Sequence, residues 1–275
     1  MDSIVTTVQH PAADVIQMAQ ELAAKLAVPY VERNRQSIAA LKEKYRVSNL
    51  LVAAAAGPTV HTATGEYFFH LSMAELRIKN LINGKHDHMV AAMGLNTGMS
   101  VLDCTLGLAT DAIVASFIVG EAGFVVGLES QPIIALITEY GLQHFAPDPL
   151  PAEYDIISAL RRIRVKNTDY YEHLAVLPAA SFDIVFFDPM FRNPIQTSSN
   201  FKPIRSLADP RQVTVAAIQQ ACRVAKQRVV VKEAANSDEF SRLGIANIVG
   251  GKYSSVKYGI IDCSAQAAGG RLWNV

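Results

Sequence analysis

The residues best placed to do chemistry are Asp188-Pro189-Met190-Phe191, which directly follow the largely apolar run Phe182–Phe187. A run so rich in Phe, Val and Ile predicts a buried strand of a parallel sheet, and proline ends it because proline cannot donate to the ladder. The Asp188 carboxylate and the Pro189 carbonyl could accept the N–H groups of an amine, while Phe191 could stack on a planar ring. The motif therefore favours chemistry at a nitrogen on a planar system. The alternative for Phe191 is an aromatic that caps the core.

Three further strand patterns end at or just before an acidic residue. The patterns are Ser100–Cys104, Phe124–Glu129 and Ile163–Asn167, and the acidic residues are Asp103, Glu129 and Asp169. Any one of these carboxylates could be only a helix cap. However, the carboxyl ends of parallel strands meet at one edge of a sheet, where α/β proteins bind ligands. We therefore predict that the three carboxylates lie near Asp188 and line a ligand site.

The loop after the first of these strands indicates the kind of ligand. It runs from Asp103 to Asp111, and Gly107 would let the backbone approach a ligand closely. The loop has neither the G-x-G-x-x-G spacing of a dinucleotide site nor the Gly-Lys-Ser/Thr of a phosphate loop. Its carboxylates would repel a pyrophosphate. They would suit a ligand with a positive end, such as the ammonium and sulfonium groups of S-adenosylmethionine (SAM).

On this hypothesis, the next two strand ends would hold the adenosine part of the cofactor. Glu129 could accept both hydroxyls of the ribose, as a carboxylate at this place does in nucleotide-binding folds. Thr168 and Asp169 follow the third strand, where a short polar side chain could accept a hydrogen bond from the adenine amine. The SAM hypothesis thus uses the ends of three successive strands.

The elements that must position these residues alternate between strands and helices from Ser100 onward. Helical patterns cover 111–120, 132–144 and 211–225, a fifth strand covers 228–232, and β-rich pieces at 247–252 and 256–262 could form a hairpin. Such alternation predicts crossover connections and a parallel sheet. We predict an α/β fold for residues 96–275, with a mostly parallel, Rossmann-like sheet and a C-terminal antiparallel hairpin.

Residues 1–95 break this alternation. Helical spacing covers 12–27, 37–45 and 73–82, whereas 52–69 mixes β-formers with Gly57-Pro58 and favours a few short strands. We predict a smaller N-terminal α+β subdomain over residues 1–95. The hypothesis for its role is substrate recognition.

From about Ser100 to Asp262, the chain resembles class I SAM-dependent methyltransferases. Within that class, it is similar to the bacterial family that methylates the exocyclic N2 amine of a guanine in small-subunit ribosomal RNA. Four motifs carry the resemblance: Asp-x-Thr-x-Gly-x-x-x-Asp at Asp103, Thr105, Gly107 and Asp111, an acidic residue at Glu129, Asp-Pro-Met-Phe at Asp188–Phe191, and Val-Val-Val-Lys at Val229–Lys232.

This resemblance implies a methyltransferase with SAM as the cofactor and RNA as the partner. The residues that it implies contact the cofactor or lie beside it are Asp103, Thr105, Gly107, Thr110, Asp111, Glu129, Ser130, Thr168, Asp169 and Asp188. The implied catalytic residues are Asp188, Pro189 and Phe191. The chain departs from the family where Ala109 and Thr110 replace a usual glycine and basic residue, and where Arg192 replaces a proline after the aromatic.

Two alternatives for the function stay open. One is methylation of a small planar molecule or a protein side chain, since 25 basic and 25 acidic residues give a formal net charge of zero. The other is a cofactor-binding module without turnover, which an intact Asp188 and Phe191 disfavour. Lys232 is either a solvated strand end or a residue near the substrate.

Basic residues form three clusters that could neutralise RNA phosphates or could be only solvated surface. The clusters are Arg33, Arg35, Lys42, Lys44 and Arg46; Arg161, Arg162, Arg164 and Lys166; and Arg192, Lys202, Arg205 and Arg211. The last cluster is the best candidate, because segment 192–210 is long, polar and next to the predicted acceptor motif.

The composition predicts a cytoplasmic protein without a membrane segment. No stretch approaches the ~20 apolar residues of a membrane span, and the N-terminus lacks the pattern of a signal peptide. The three cysteines are far apart and suit reduced, apolar roles: Cys104, Cys222 and Cys263. His86 and His88 flank Asp87, but adjacent residues on a helix point apart, so we predict no metal site.

Overall fold

The computed structural model describes residues 2–71, 73–146, 155–189 and 207–264. Within them, the chain divides into two compact units. The first contains the described residues up to His70, Gln131–Phe145 and residues 207–209. The second contains the described residues of Leu71–Ser130, Ala146, and residues 155–189 and 210–264. Each unit is built from separate stretches of chain, so the boundary predicted at residue 95 stays a prediction.

The first unit is built on a four-stranded sheet. Its elements are β1 (Ser3–Thr7), α1 (Ala13–Leu26), α2 (Ile38–Tyr45), β2 (Asn49–Ala53), β3 (Thr59–His61) and β4 (Glu66–Tyr67). The strands lie in the order β1-β2-β3-β4, with β1 and β2 parallel and the other two pairs antiparallel. The helices and short strands predicted here are confirmed, and β1 is an additional strand that the sequence pattern did not indicate.

The remaining described elements follow in chain order. They are α3 (Ala74–Ile82), α4 (His88–Met93), β5 (Ser100–Asp103), α5 (Thr110–Val119), β6 (Phe124–Glu129), α6 (Pro132–His144), α7 (Ile156–Arg161), β7 (Ile163–Asn167), α8 (Tyr170–Val176), β8 (Phe182–Phe187), α9 (Val215–Val224), β9 (Ala225–Ala234), α10 (Glu239–Arg242), β10 (Asn247–Val249) and β11 (Val256–Asp262). Pro132 begins α6 at a position where its missing N–H costs no hydrogen bond.

The seven strands from β5 to β11 form the sheet of the second unit, in the order β10-β11-β9-β8-β5-β6-β7. The five strands β5 to β9 pair in parallel, whereas β11 pairs antiparallel with both β9 and β10. This confirms the prediction of an α/β fold with a mostly parallel sheet and a C-terminal antiparallel hairpin. The chain leaves β5 towards β6 and returns to β8 on its other side, so the strand order reverses between β5 and β8.

The central strands have continuous apolar runs because both faces of the sheet are covered. Ile184–Phe187 of β8 and Val229–Val231 of β9 are at most 1% exposed. Helix α5 is also buried nearly all round, and it packs against β6, α3 and α7. The Ser116 hydroxyl of α5 donates to the Ala159 carbonyl of α7 at 2.7 Å. These contacts fix α5, and hence the loop that enters it, on the sheet.

Helix α9 starts later than predicted, because Thr214 caps it by accepting a hydrogen bond from the Ala217 N–H at 3.1 Å. The strand after it is longer than the predicted 228–232 and covers Ala225–Ala234. In the described part of the chain, no helix combines the length and the apolar character needed to cross a bilayer. The three cysteines are buried and form no disulfide bond.

Candidate active site

The carboxyl ends of β8, β5, β6 and β7 lie side by side and carry the predicted site residues. Asp188 follows β8, Asp103 ends β5, Glu129 ends β6, and Thr168 and Asp169 follow β7. Because the strand order reverses between β5 and β8, the loops after these two strands lead to opposite sides, and ligands bind at such points in α/β sheets. The residues that the sequence singled out are thus brought to one edge of the sheet.

The loop after β5 is tied to its neighbours by three short-range contacts. The Leu106 N–H donates to the Leu128 carbonyl at 2.9 Å, and the Gly107 N–H donates to Glu129 Oε2 at 3.1 Å. Leu106 occupies the space above Gly127, where an added Cβ would lie 2.3 Å from its Cδ1. A glycine at 127 is therefore required for the loop to lie close to β6.

Helix α5 begins with a left-handed residue. Ala109, its N-cap, has φ = 61°, a conformation that favours glycine. The guanine-N2 methyltransferase family that the sequence resembles usually has its second glycine at this position. The backbone geometry therefore fits that motif, although the residue is alanine. Thr110 and Asp111 then form the first turn of α5.

The Asp103 carboxyl is buried and has few donors that could stabilise its negative charge. It is 3% exposed, and its Oδ1 accepts the Thr105 N–H at 3.0 Å. Within the described residues, it makes no other hydrogen bond and no ion pair. Burial raises the pKa of Asp103 to about 8, and the negative charges of Asp111 and Asp188 add to this effect. A positively charged ligand would stabilise its ionised form, so Asp103 fits the ammonium or sulfonium end of SAM.

Asp188 is held at both its backbone and its side chain. Its N–H donates to Thr105 Oγ1 at 2.6 Å, which joins the loops after β8 and β5. Its Oδ2 accepts from Lys232 Nζ at 2.7 Å, and its side chain remains 29% exposed. Burial raises the pKa of Asp188 to about 7, against the opposing charge of Lys232. Asp188 is thus oriented and still accessible to a ligand.

Lys232 belongs to a buried chain of charges that extends away from Asp188. Its Nζ also donates to Asp111 Oδ2 at 2.8 Å, and Arg77 pairs with the other oxygen of Asp111. Arg77 in turn donates twice to Asp87, at 2.8 and 3.0 Å. Burial opposes ionisation of Asp111, but Lys232 and Arg77 together hold its pKa well below its usual range.

This charge chain is a structural finding that the sequence only partly indicated. Lys232 is not a solvated strand end, since its side chain is 19% exposed and bridges two carboxylates. Asp87 also caps α4 by accepting the Met89 and Val90 N–H groups. Three carboxylates (Asp87, Asp111, Asp188) with two cations (Arg77, Lys232) leave one net negative charge when all are ionised. A cationic ligand therefore also suits this neighbourhood electrostatically.

Hydrogen bonds join the ends of β6 and β7. The Thr168 N–H donates to the Glu129 carbonyl at 3.0 Å, and the Asn167 side-chain amide donates to the Glu129 and Ser130 carbonyls at 2.8 and 3.2 Å. The Asp169 carboxylate caps α8 by accepting the Tyr171 N–H at 2.7 Å and pairs with Arg211. A contact of Asp169 with adenine stays a prediction.

Phe191 and Met190 lie outside the described residues, and so do Arg192, Lys202 and Arg205 of the third basic cluster. The described member of that cluster, Arg211, pairs with Asp169. We did not predict a role for Arg77, and we considered Asp87 only as a metal ligand. Asp87 precedes the apolar residues of α4, which is the pattern of a helix cap, whereas no local pattern marks Arg77.

A family model of SAM-dependent methyltransferases matches residues 59–253 of this chain. Protein YpiP of Bacillus subtilis is 37% identical over 262 residues, which cover 95% of this chain and 100% of that protein. Ribosomal RNA small subunit methyltransferase J of Thioalkalivibrio sulfidiphilus is 26% identical over 244 residues, which cover 86% of this chain and 89% of the relative.

A solved structure supports the fold independently. The crystal structure of a SAM-dependent methyltransferase from Neisseria gonorrhoeae superposes with a TM-score of 0.63, at 17% identity and over 94% of each chain. At this identity, the likeness concerns the fold, and it agrees with the mostly parallel sheet that closes with antiparallel strands.

Proposed function

The chain belongs to the SAM-dependent methyltransferase family, and we propose that it methylates the exocyclic N2 amine of a guanine in small-subunit ribosomal RNA. Similarity to ribosomal RNA small subunit methyltransferase J supports the choice of RNA. The observation that carries the choice of a nitrogen acceptor is the fixed position of Asp188, which is followed by Pro189. Its backbone N–H donates to Thr105, and its carboxylate accepts from Lys232.

Bound SAM supplies a methyl group on a positively charged sulfur. We assign the negative charge that favours this cation to Asp103 and Asp188, which stand at the ends of neighbouring strands. Asp103 is buried, Asp188 is partly buried, and burial raises the pKa of both. Glu129 would accept the ribose hydroxyls, and its existing contact with the Gly107 N–H would keep the loop closed on β6. Thr110, Ser130, Thr168 and Asp169 would complete the cofactor site.

Asp188 would act on the acceptor amine. The lone pair of an exocyclic amine is delocalised into its ring, so the amine is a weak nucleophile. Hydrogen bonds from its N–H groups to the Asp188 carboxylate and the Pro189 carbonyl would localise the lone pair and aim it at the methyl group. Most of the rate gain would come from this positioning and from preorganised charge.

Lys232 would act through Asp188 as a positioning residue. Its bond of 2.7 Å to Oδ2 fixes the rotamer of the carboxylate, and its charge favours the ionised form that can accept two N–H groups. Asp111 and Arg77 hold Lys232 from behind, because Asp111 accepts from both cations.

The proton balance of the reaction needs no strong base. The nitrogen forms one bond to carbon and loses one of its protons, while the bond between that carbon and sulfur breaks with its electron pair going to sulfur. The proton can pass to Asp188, whose pKa near 7 suits release to water at neutral pH.

The test is transfer of a labelled methyl group from SAM to unmodified small-subunit ribosomal RNA, followed by digestion to nucleosides. We expect the label in N2-methylguanosine. Parallel reactions contain free guanosine, total cell protein or no acceptor. Label in a different nucleoside, in protein or in a small molecule would contradict the proposed acceptor. Tight SAM binding without label in any fraction would favour a non-catalytic role.

A further inference from the structure

A second ligand-sized cleft lies in the first unit, at the end of β1. The backbone beside Tyr30 runs parallel to β1, since the Val5 N–H donates to the Pro29 carbonyl at 2.9 Å and the Val31 N–H donates to the Val5 carbonyl at 2.8 Å. Tyr30 forms an isolated parallel bridge with Val5, so the segments that follow β1 and Tyr30 leave the same edge. Such an edge is where α/β sheets bind ligands.

The cleft has a volume of about 330 Å³. Its walls come from both segments and from α1, and they include His10, Gln20, Tyr30, Glu32, Arg33 and Arg35. Small-molecule sites begin at roughly this size and combine a few polar groups with a ring or an apolar wall. The cleft is separate from the methyltransferase residues, none of which line it.

Two guanidinium groups make the cleft suitable for an anion. Arg33 is fixed, because its Nε donates to the Gln36 carbonyl at 2.7 Å and its Nη1 donates to the Thr7 carbonyl at 3.4 Å. These bonds use two of its five N–H donors. Arg35 makes no hydrogen bond or ion pair among the described residues, so its planar group can bind a phosphate through two N–H groups.

The backbone around the cleft is held in an uncommon conformation. His10, Asn34 and Arg35 have φ = 50°, 42° and 58°, although none is glycine. Left-handed residues of this kind cost of order 1 kcal/mol each and cluster at functional sites. All three of these residues line the cleft.

The cleft also contains groups that suit a planar ligand carrying an amine. Tyr30 presents a half-buried ring, on which a base can stack. Glu32 lies close enough for its charge to affect the Tyr30 hydroxyl, and its carboxylate can accept from the exocyclic amine of a base. Phosphate-binding and base-binding groups thus stand in one cleft.

We propose that this cleft binds a nucleoside monophosphate whose base carries an exocyclic amine, with the phosphate on Arg35 and Arg33 and the base between Tyr30 and Glu32. The nucleotide can be free or part of a single RNA strand, since both present the same groups. This site is distinct from the methyltransferase site and does not rest on the function proposed for it.

The test is calorimetric titration of the full chain with adenosine 5′-monophosphate. Saturating S-adenosylhomocysteine is present throughout, so that the methyltransferase site is filled. Comparison probes are adenosine, inorganic phosphate, uridine 5′-monophosphate and a short single-stranded oligoadenylate. The variants are Arg35→Gln and the matched control Arg46→Gln. Arg46 is also exposed and left-handed, with φ = 52°, but it ends α2 and does not line the cleft.

We expect adenosine 5′-monophosphate to bind and Arg35→Gln to weaken it by about tenfold, as for the loss of one charge-assisted contact, while Arg46→Gln leaves it unchanged. Adenosine, phosphate and the uridine nucleotide should each bind more weakly. Tighter binding of oligoadenylate, with the same dependence on Arg35, assigns the nucleotide to a strand; weaker or equal binding assigns it to a free nucleotide. The proposal is overturned if neither adenosine 5′-monophosphate nor oligoadenylate binds, or if Arg35→Gln and Arg46→Gln lose affinity equally. It is also overturned if inorganic phosphate binds as tightly as the nucleotide.

Discussion

The two sheets differ in the ionisable groups found where parallel segments end, which are mainly carboxyls in one sheet and guanidinium groups in the other. In the seven-stranded sheet, Asp103, Glu129 and Asp188 stand at the ends of neighbouring strands. In the four-stranded sheet, the segments beyond β1 and Tyr30 bring Arg33 and Arg35 to a cleft. In both units, the backbone arrangement determines where the candidate site lies. The side chains that follow the strands determine which ligand charge the site favours. The first edge suits a sulfonium and the second a phosphate.

In the seven-stranded sheet, a Lys–Asp ion pair links β8 and β9 near each end of their pairing. Lys232 and Asp188 are 2.7 Å apart and largely buried, and Lys226 and Asp183 are 3.4 Å apart with the lysine 44% exposed. A buried pair that loses one partner leaves an uncompensated charge, but a surface pair contributes little. The same chemical pair should therefore matter very differently at the two ends.

The largest expected effect is on catalysis. Asp188→Asn removes the negative charge and leaves an N–H donor where the amine needs an acceptor. We expect kcat/KM to fall by about 10²–10³-fold or more, as for loss of a preorganised charge in an active site. The measurement is methyl transfer at RNA concentrations below KM and saturating SAM, with circular dichroism as the check on folding.

A matched control for this variant is Asp238→Asn, because Asp238 is exposed and its side chain makes no cap hydrogen bond. We expect its activity to equal that of the unmodified chain. Normal turnover by Asp188→Asn would remove Asp188 from the mechanism.

Next in size is the effect of the buried pair on stability. Lys232→Met leaves Asp111 and Asp188 without their shared cation, so we expect the free energy of unfolding to fall by about 3–5 kcal/mol. Lys226→Met should cost less than about 1 kcal/mol, because its pair with Asp183 is solvent-screened. Urea unfolding of both variants at neutral pH measures the difference, and equal losses would contradict the distinction between the two pairs.

A smaller effect concerns the loop over β6. Gly127→Ala would place a Cβ 2.3 Å from Leu106, so the loop after β5 must move away from Glu129. We expect SAM to bind about tenfold more weakly, which corresponds to about 1.4 kcal/mol. Leu106→Ala removes the clashing atoms, and the double variant should bind SAM more tightly than Gly127→Ala alone. Additive losses in this cycle would show that the close approach does not position the loop.

The smallest expected effect is a shift along the pH axis. Asp188 must be ionised to accept the amine, so kcat/KM should rise as the pH passes through about 7. The charge of Lys232 favours ionisation and therefore lowers the pKa of Asp188. Its removal in Lys232→Gln must raise that pKa, so the rise in activity should move to higher pH. Lys226→Gln should leave the profile in place. A profile that stays fixed in both variants would contradict the coupling.

Local sequence patterns predicted the seven-stranded sheet well, because its strands are bounded by clear signals. Strand β8 follows the apolar run Phe182–Phe187 and ends just before Asp188 and Pro189, as predicted. Helix α6 begins at Pro132, also as predicted. β1 was missed because Ser3, Thr6 and Thr7 are buried together with Ile4 and Val5, so the strand shows neither an alternating nor a continuous apolar pattern.

The positions of the carboxylates followed from the rule that parallel strands end at one edge. The same rule could not predict which cations pair with those carboxylates. The ion-paired residues come from five separate positions along the chain: Arg77, Asp87, Asp111, Asp188 and Lys232. Helical or strand periodicity describes only neighbours along the chain and carries no information on such contacts. The basic cleft was missed for the same reason: its residues were visible as a charge cluster, but their convergence with Tyr30 depends on the parallel pairing with β1.

Proton release on cofactor binding tests most directly the claim that buried carboxylates hold a cationic ligand. Asp103 has a pKa of about 8 in the ligand-free protein, so at pH 7 it is largely protonated. A cation beside it lowers that pKa, and the proton must leave. Calorimetry of SAM binding in buffers of different ionisation enthalpy should show release of most of one proton at pH 7 and less in Asp103→Asn. Binding with no release, or with equal release in Asp103→Asn, would contradict the claim.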